Sequence, residues 1–322
     1  MTATGTRPAL PPDGRPAAAT VVTPEEPDTL EASEALPRLV KIAGEVVAPA
    51  TLLTALLFQF GRLHSAGYFR HFGVNFTVLD LTTTDFLIVG VDGLFVPLAA
   101  ACVLALVLLW VHRLVVGRLS ERSRRRALRA VAPLAAVVGA VLVALALLDL
   151  LTDVRLFWGD SEAGGLSLAI GVLLVVYALR LVRFSRDASP RSAGSELAEW
   201  GAAFLLVSVG LYWAVGNYAF GVGTGRALQL QDALPTQPAA VLYSERSLSL
   251  TADGVTEVRC ADPDAAYRFR YDGLRLVRQA GNQYLLLPAT WTSATGTAIL
   301  IPRSDAVRLE FVPSGQVRSD TC

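Results

Sequence analysis

Apolar positions in this chain arrive in blocks of about twenty, the length a helix needs to cross a bilayer. The blocks predict spans at about 42–61, 86–111, 131–151, 166–182 and 201–220. The first is the weakest, because its unbroken apolar run, Val46 to Phe60, falls short of twenty. The second is long enough that a tilt or a kink at Pro97 is expected to absorb the excess. Thr84 and Asp85 are the expected N-cap before it. Past residue 225 the pattern changes to short alternating runs ended by turn signals. Candidate strands are 239–243, 247–251, 255–259, 266–271, 274–278, 283–287, 297–301 and 306–312. Tyr267, Phe269 and Tyr271 alternate with Arg268 and Arg270, the period of a strand with one buried face. Asp253-Gly254, Asp272-Gly273 and Gly281-Asn282 read as turns.

The expected fold is therefore a membrane all-α bundle of five transmembrane helices plus a small antiparallel all-β extracytoplasmic domain, a sandwich or barrel. Residues 1–38 hold seven prolines and no apolar periodicity, and are expected to form a disordered cytoplasmic tail. The helical domain covers 39–220. The segment 221–236, with Gly221, Gly223 and Gly225, is expected to be a flexible linker to the β-rich domain 237–322.

Composition agrees with a membrane: 53% of residues are hydrophobic and 17% charged, against about 25% charged in soluble domains. The formal net charge is zero, so no global basic patch for nucleic acid exists. The arginines are unevenly placed. Arg113, Arg118, Arg122, Arg124, Arg125, Arg126 and Arg129 cluster after the second span, and Arg183, Arg186 and Arg191 after the fourth. The positive-inside rule puts both clusters and the N-terminus in the cytoplasm, and residues 221–322 outside, at the cell membrane. Recruitment of anionic lipid or a cytoplasmic partner is the other use for the 113–129 cluster. Arg62 and Arg70 then lie in an external loop, 62–85, against the rule.

Polar residues within spans are the candidates for chemistry. Gln59, Asp92, Asp149 and Asn217 all fall in the outer half of the expected membrane, and Asp92 lies deepest, roughly 9 Å in. Together they form a candidate polar pocket for an ion or small ligand, with Arg62, His64, Arg70 and His71 as counter-ions. The plainer expectation is interfacial side chains, with Asp92 paired to fix helix packing. Residues 61–81 are expected to lie as an interfacial amphipathic helix. Ala132, Ala136, Ala140 and Ala144, with Gly139 beside them, form a small-residue stripe for close helix approach.

Of the three cysteines, Cys102 falls in an apolar run and reads as a small buried hydrophobe. Cys260 and Cys322 are the candidate disulfide, persistent only outside the cytoplasm; closing a loop of roughly 62 residues is worth about 4 kcal/mol on the chain-entropy model. With three histidines in the chain a His-based metal site is not expected. No Walker A, GxSxG or HExxH pattern occurs, so no cofactor, metal or catalytic residue is assigned.

The segment Tyr68-Phe69-Arg70-His71-Phe72-Gly73-Val74, followed by Asp80 and Asp85-Phe86-Leu87, resembles a stretch of multi-pass membrane proteins of actinobacteria. That resemblance implies no activity, cofactor or catalytic residue. The expected role is a non-enzymatic one in envelope sensing, binding or scaffolding through the external β domain, with the bilayer and a protein partner or second copy as partners. The alternative is a channel or transporter component built on the pocket around Asp92.

Overall fold

The computed structural model describes residues 2, 5, 47–118, 121–151, 162–185, 193–262 and 264–313. Nearly all of the expected tail 1–38, the start of the first span, residues 152–161 and Cys322 lie outside the described residues. Five helices come first: α1 (Ala48–His71), α2 (Thr83–Arg118), α3 (Glu121–Leu151), α4 (Glu162–Ser185) and α5 (Ala193–Ala233). Among the described residues four helices are long and apolar enough to cross a membrane, over Thr83–Leu114, Val131–Leu151, Ala163–Val182 and Leu197–Thr236. α1, which covers most of the expected first span, is not among them. Gln59, Arg62, His64, Arg70 and His71 dilute its apolar run.

α1 and α2 form an antiparallel hairpin with well-defined ends. α1 ends in a Schellman motif: Val74 N–H donates to the Phe69 carbonyl at 3.0 Å and Gly73 N–H to that of Arg70 at 3.0 Å. Gly73 supplies the required left-handed residue, with φ +72°. The apolar contact that accompanies this motif is Val74 with Phe69, both buried in one cluster. A 3-10 turn, Phe76–Leu79, follows. The expected interfacial helix at 61–81 is thus the end of α1 plus this turn. α2 opens with a capping box in which Thr82, not Thr84, is the cap. Asp85 N–H donates to Thr82 Oγ1 at 3.2 Å, while Asp85 Oδ2 accepts from Thr82 N–H at 2.9 Å and from its hydroxyl at 2.7 Å.

The helix seams rest on glycine. A Cβ at Gly61 would collide with the Phe86 carbonyl oxygen, and one at Gly90 with that of Leu57, so α1 and α2 touch backbone to backbone. Gly67 against Phe220, and Gly223 against the carbonyl of His64, do the same for α1 and α5. A Cβ at Gly139 would lie 2.8 Å from the Gly171 carbonyl oxygen, between α3 and α4. Bilayers provide little hydrophobic drive between helices, so such close approach supplies the dispersion that holds them. The buried stripe of α3 is Ala132, Ala135, Gly139 and Ala146. Ala140 and Ala144 are exposed, because a strict interval of four drifts off the contact face.

The expected linker is helical. α5 runs through Gly221, Gly223 and Gly225 to Ala233, and a 3-10 turn, Leu234–Thr236, leads directly into β1. Gly223 is present for packing rather than flexibility.

The strands are β1 (Ala239–Ser244), β2 (Thr256–Arg259), β3 (Phe269–Ala280), β4 (Gln283–Pro288), β5 (Ile299–Pro302) and β6 (Val307–Val312). They form one antiparallel sheet in the order β5-β4-β3-β1-β6, with β2 also on β3, in place of the expected sandwich or barrel. Residues 247–251 form no strand. The expected turn at Asp272-Gly273 is instead a bulge inside β3. The register against β1 steps from Leu274↔Ala240 to Tyr271↔Leu242, leaving one extra residue on β3, and Gly273 takes φ +87°. Gly281-Asn282 is a true two-residue hairpin turn with Gly281 at φ +53°, joining Ala280 to Gln283.

Both sheet faces are covered. One packs Ala240, Leu242, Tyr271, Leu274, Leu286, Ile299 and Ile301 under Leu248, Leu250, Ala252 and Val255. The other puts Ala280, Leu285, Leu287 and Trp291 against Phe69, Phe72, Leu79, Ala227 and Leu234 at the ends of α1 and α5. Sheet and helix ends therefore share one core.

Candidate functional site: polar residues along α1 and α5

α1 and α5 run parallel, and their contacts climb in step. Gln59 meets Tyr212, Gly67 meets Phe220, and His71 meets Gln231. Gln59 is buried, and its Oε1 accepts from the Tyr212 hydroxyl at 2.7 Å. The amide oxygen of Gln231 accepts from His71 Nε2 at 2.7 Å. Between them His64 is buried and lies between the Phe60 and Tyr68 rings, with centroids 5.9 and 6.3 Å away. Its Nε2 has no hydrogen-bond partner among the described residues.

Asp92 is ion-paired: Arg226 Nη1 donates to its Oδ2 at 3.1 Å. Arg226 is a counter-ion that the sequence reading missed, because it sat in the segment taken for a linker. The pair lies on the outside of the helices, with 66% of the Asp92 side chain and 48% of the Arg226 side chain exposed. Asp149 is half-buried beside Gly164, where a Cβ would come within 2.9 Å of its Oδ2 and 2.8 Å of the Trp213 ring. Asn217 is half-buried one residue past Gly216, where a Cβ would lie 3.4 Å from Gln59 Nε2.

Gln59 and Asp92 thus bond different residues of α5, Tyr212 and Arg226, while Asn217 lies on α5 itself and Asp149 beside Gly164 of α4. No described contact gathers them into one cavity. A cleft lies elsewhere, between Arg70 and Phe220, with the Arg70 guanidinium 5.9 Å from the Phe220 ring centre. Cys102 is a free thiol and exposed, on a face of α2 that no protein covers, rather than buried. The Cys260–Cys322 pair involves a residue outside the described ones. Among the described residues no group of three His, Cys, Asp or Glu could hold a metal.

The sheet has polar anchors of its own. Tyr271 is fully buried; its hydroxyl donates to Glu257 Oε2 at 2.7 Å and accepts from Leu248 N–H at 2.6 Å. Burial is the main force holding this phenol above the ordinary tyrosine value. Arg275 Nε donates to the Leu234 carbonyl at 3.0 Å, capping the C-terminal end of the last helical turn with a cation. Burial lowers the Arg275 value from its usual one. Buried Arg270 bonds Asp272 at 2.9 Å, and Arg308 lies over Tyr243 at 4.8 Å and Tyr267 at 5.1 Å.

Comparison with protein-family models, curated proteins and solved structures finds no match, so a role is argued from this geometry alone.

Proposed function

We propose that this chain is a five-pass protein of the cell membrane, N-terminus inside, whose external sheet senses, binds or scaffolds at the envelope without catalysis. One observation carries the reading: the sheet and the ends of α1 and α5 share a core built on Phe69, Phe72, Leu234, Leu285, Leu287 and Trp291. A domain seated this way transmits a change in its own position to the helices, which a tether would not do. α1 is the additional span, first in chain order. Its polar residues are accommodated because α2 and α5 cover it, leaving Gln59, Phe60 and His64 buried. The arginine clusters after α2 and α4 set the orientation. In an oxidising exterior Cys260 and Cys322 are bonded.

β6 is one of the sheet's two end strands, the other being β5, and its Phe311 is 58% exposed. An edge strand with an exposed aromatic favours pairing with another chain. A photo-crosslinker at Phe311 in intact cells should attach to a specific protein, while one at Leu106 should attach to lipid. Protein crosslinks from Leu106 alone would overturn this reading.

The exposed Asp92–Arg226 pair is the observation that favours a transport role. Asp92→Asn that abolished a measurable ion flux in liposomes, with the fold intact, would establish that second reading instead.

A further inference from the structure

Arg62 and Arg70 are anomalous in the charge pattern, since the expected orientation puts both on the external side, away from the two arginine clusters. The structure gives neither a carboxylate partner among the described residues. Both side chains are exposed. They stand on one side of α1, each four residues from Ala66. Ala66 and Arg70 form one wall of an open cleft of about 410 Å³, completed by Val74, Asn75, Phe76 and Phe220. The lining is therefore mostly apolar, with Asn75 and the Arg70 guanidinium as its polar groups.

Its height matters. Phe220 is the last residue of the expected fifth span, and the 3-10 turn beside it exposes Val78 (44%). Tyr212, Trp213 and Tyr218 precede it on α5, the residue types that gather where hydrocarbon meets headgroups. A mostly apolar cleft that includes a guanidinium, at that level, is complementary to a lipid with a phosphate headgroup. Arginine's planar fork suits phosphate oxygens, and the aromatic wall suits the upper acyl chain.

We infer that the cleft between α1 and α5 holds one anionic phospholipid, its phosphate bound by Arg70 with Arg62 adding charge from the next turns of α1. The two arginines are then retained outside against the positive-inside bias because they bind a ligand. The inference rests on the proposed orientation only for which leaflet supplies the lipid; the binding itself requires only that the cleft lie at an interface.

The test uses the full chain purified in detergent, titrated with phosphatidylglycerol or phosphatidylcholine, with bound lipid counted by native mass spectrometry. One phosphatidylglycerol per chain should bind at least tenfold more tightly than phosphatidylcholine. Arg62→Gln with Arg70→Gln should lower that affinity at least tenfold, and so should Ala66→Leu, which keeps both charges but fills the cleft. Arg113→Gln, far from the cleft, should leave it unchanged. Thermal melting in detergent checks that each variant is folded. Unaltered binding in both cleft variants, equal loss in Arg113→Gln, or competition by millimolar inorganic phosphate alone would overturn the inference. None of those results bears on whether the sheet engages a protein, so the two proposals fail separately.

Discussion

Single residues decide the seam between α1 and α5, and two neighbouring glycines separate the possible reasons for their presence. A Cβ at Gly223 would enter the backbone of His64, whereas one at Gly225 would meet nothing within 4 Å. Gly223→Val should therefore destabilise the protein by about 1–3 kcal/mol, the usual penalty of overpacking. Gly225→Ala should be neutral or stabilise it by up to about 1 kcal/mol, as expected for a helix interior. Thermal unfolding in detergent reads both; equal, small effects would return this segment to a linker. Tyr271 gives a pH signature. Its folded-state value is raised, so its contribution is fully present below the unfolded tyrosine value of about 10 and is lost as pH rises through the folded value. The sheet should lose stability at alkaline pH, and Tyr271→Phe should remove that loss. The same change should lower neutral-pH stability by about 1–3 kcal/mol, because Leu248 N–H and Glu257 lose their partner. Denaturant titrations at neutral and alkaline pH check both arms.

At the scale of elements, period and length were legible and punctuation was not. The four long apolar helices stand out in the sequence because lipid faces leave their large side chains exposed, Leu104 to Leu109 of α2 among them. The strands at 239–244 and 283–288 were legible as short apolar runs, buried along most of their length, and 307–312 as an alternating one. Asp272-Gly273 misled, since a bulge and a turn both ask for a residue with positive φ, and only the register of β1 distinguishes them. The glycines after Phe220 misled for a related reason: flexibility and close packing both favour glycine, and the partner backbone is distant in sequence. Of the candidate site, Asp92 was correctly seen as needing a partner, but that partner, Arg226, was hidden by the same error. The Thr82–Asp85 box is local and was displaced by two residues. Thr82→Ala should remove about 1 kcal/mol by unfolding in detergent; no change would mean that α2 is held at this end by packing alone.

The whole molecule is defined by the junction of sheet and helices. Trp291 sits at its centre, buried, 5.0 Å from the Phe72 ring and 5.7 Å from that of His71. Trp291→Ala should cost about 3–5 kcal/mol, as for a large core aromatic. It should also make the connection near Thr236 sensitive to protease while the helices stay intact. A sheet that merely hung from the membrane would show neither effect.

As proposed, this sheet stands outside the cell, seated on helices that cross the membrane. Labelling with a membrane-impermeant maleimide tests it most directly, using single cysteines at Asp253 and at Ser123 in a Cys102→Ala, Cys260→Ala, Cys322→Ala background. The account predicts that Asp253→Cys labels in intact cells and Ser123→Cys only after permeabilisation. The reverse pattern, or equal labelling of both in intact cells, would contradict it.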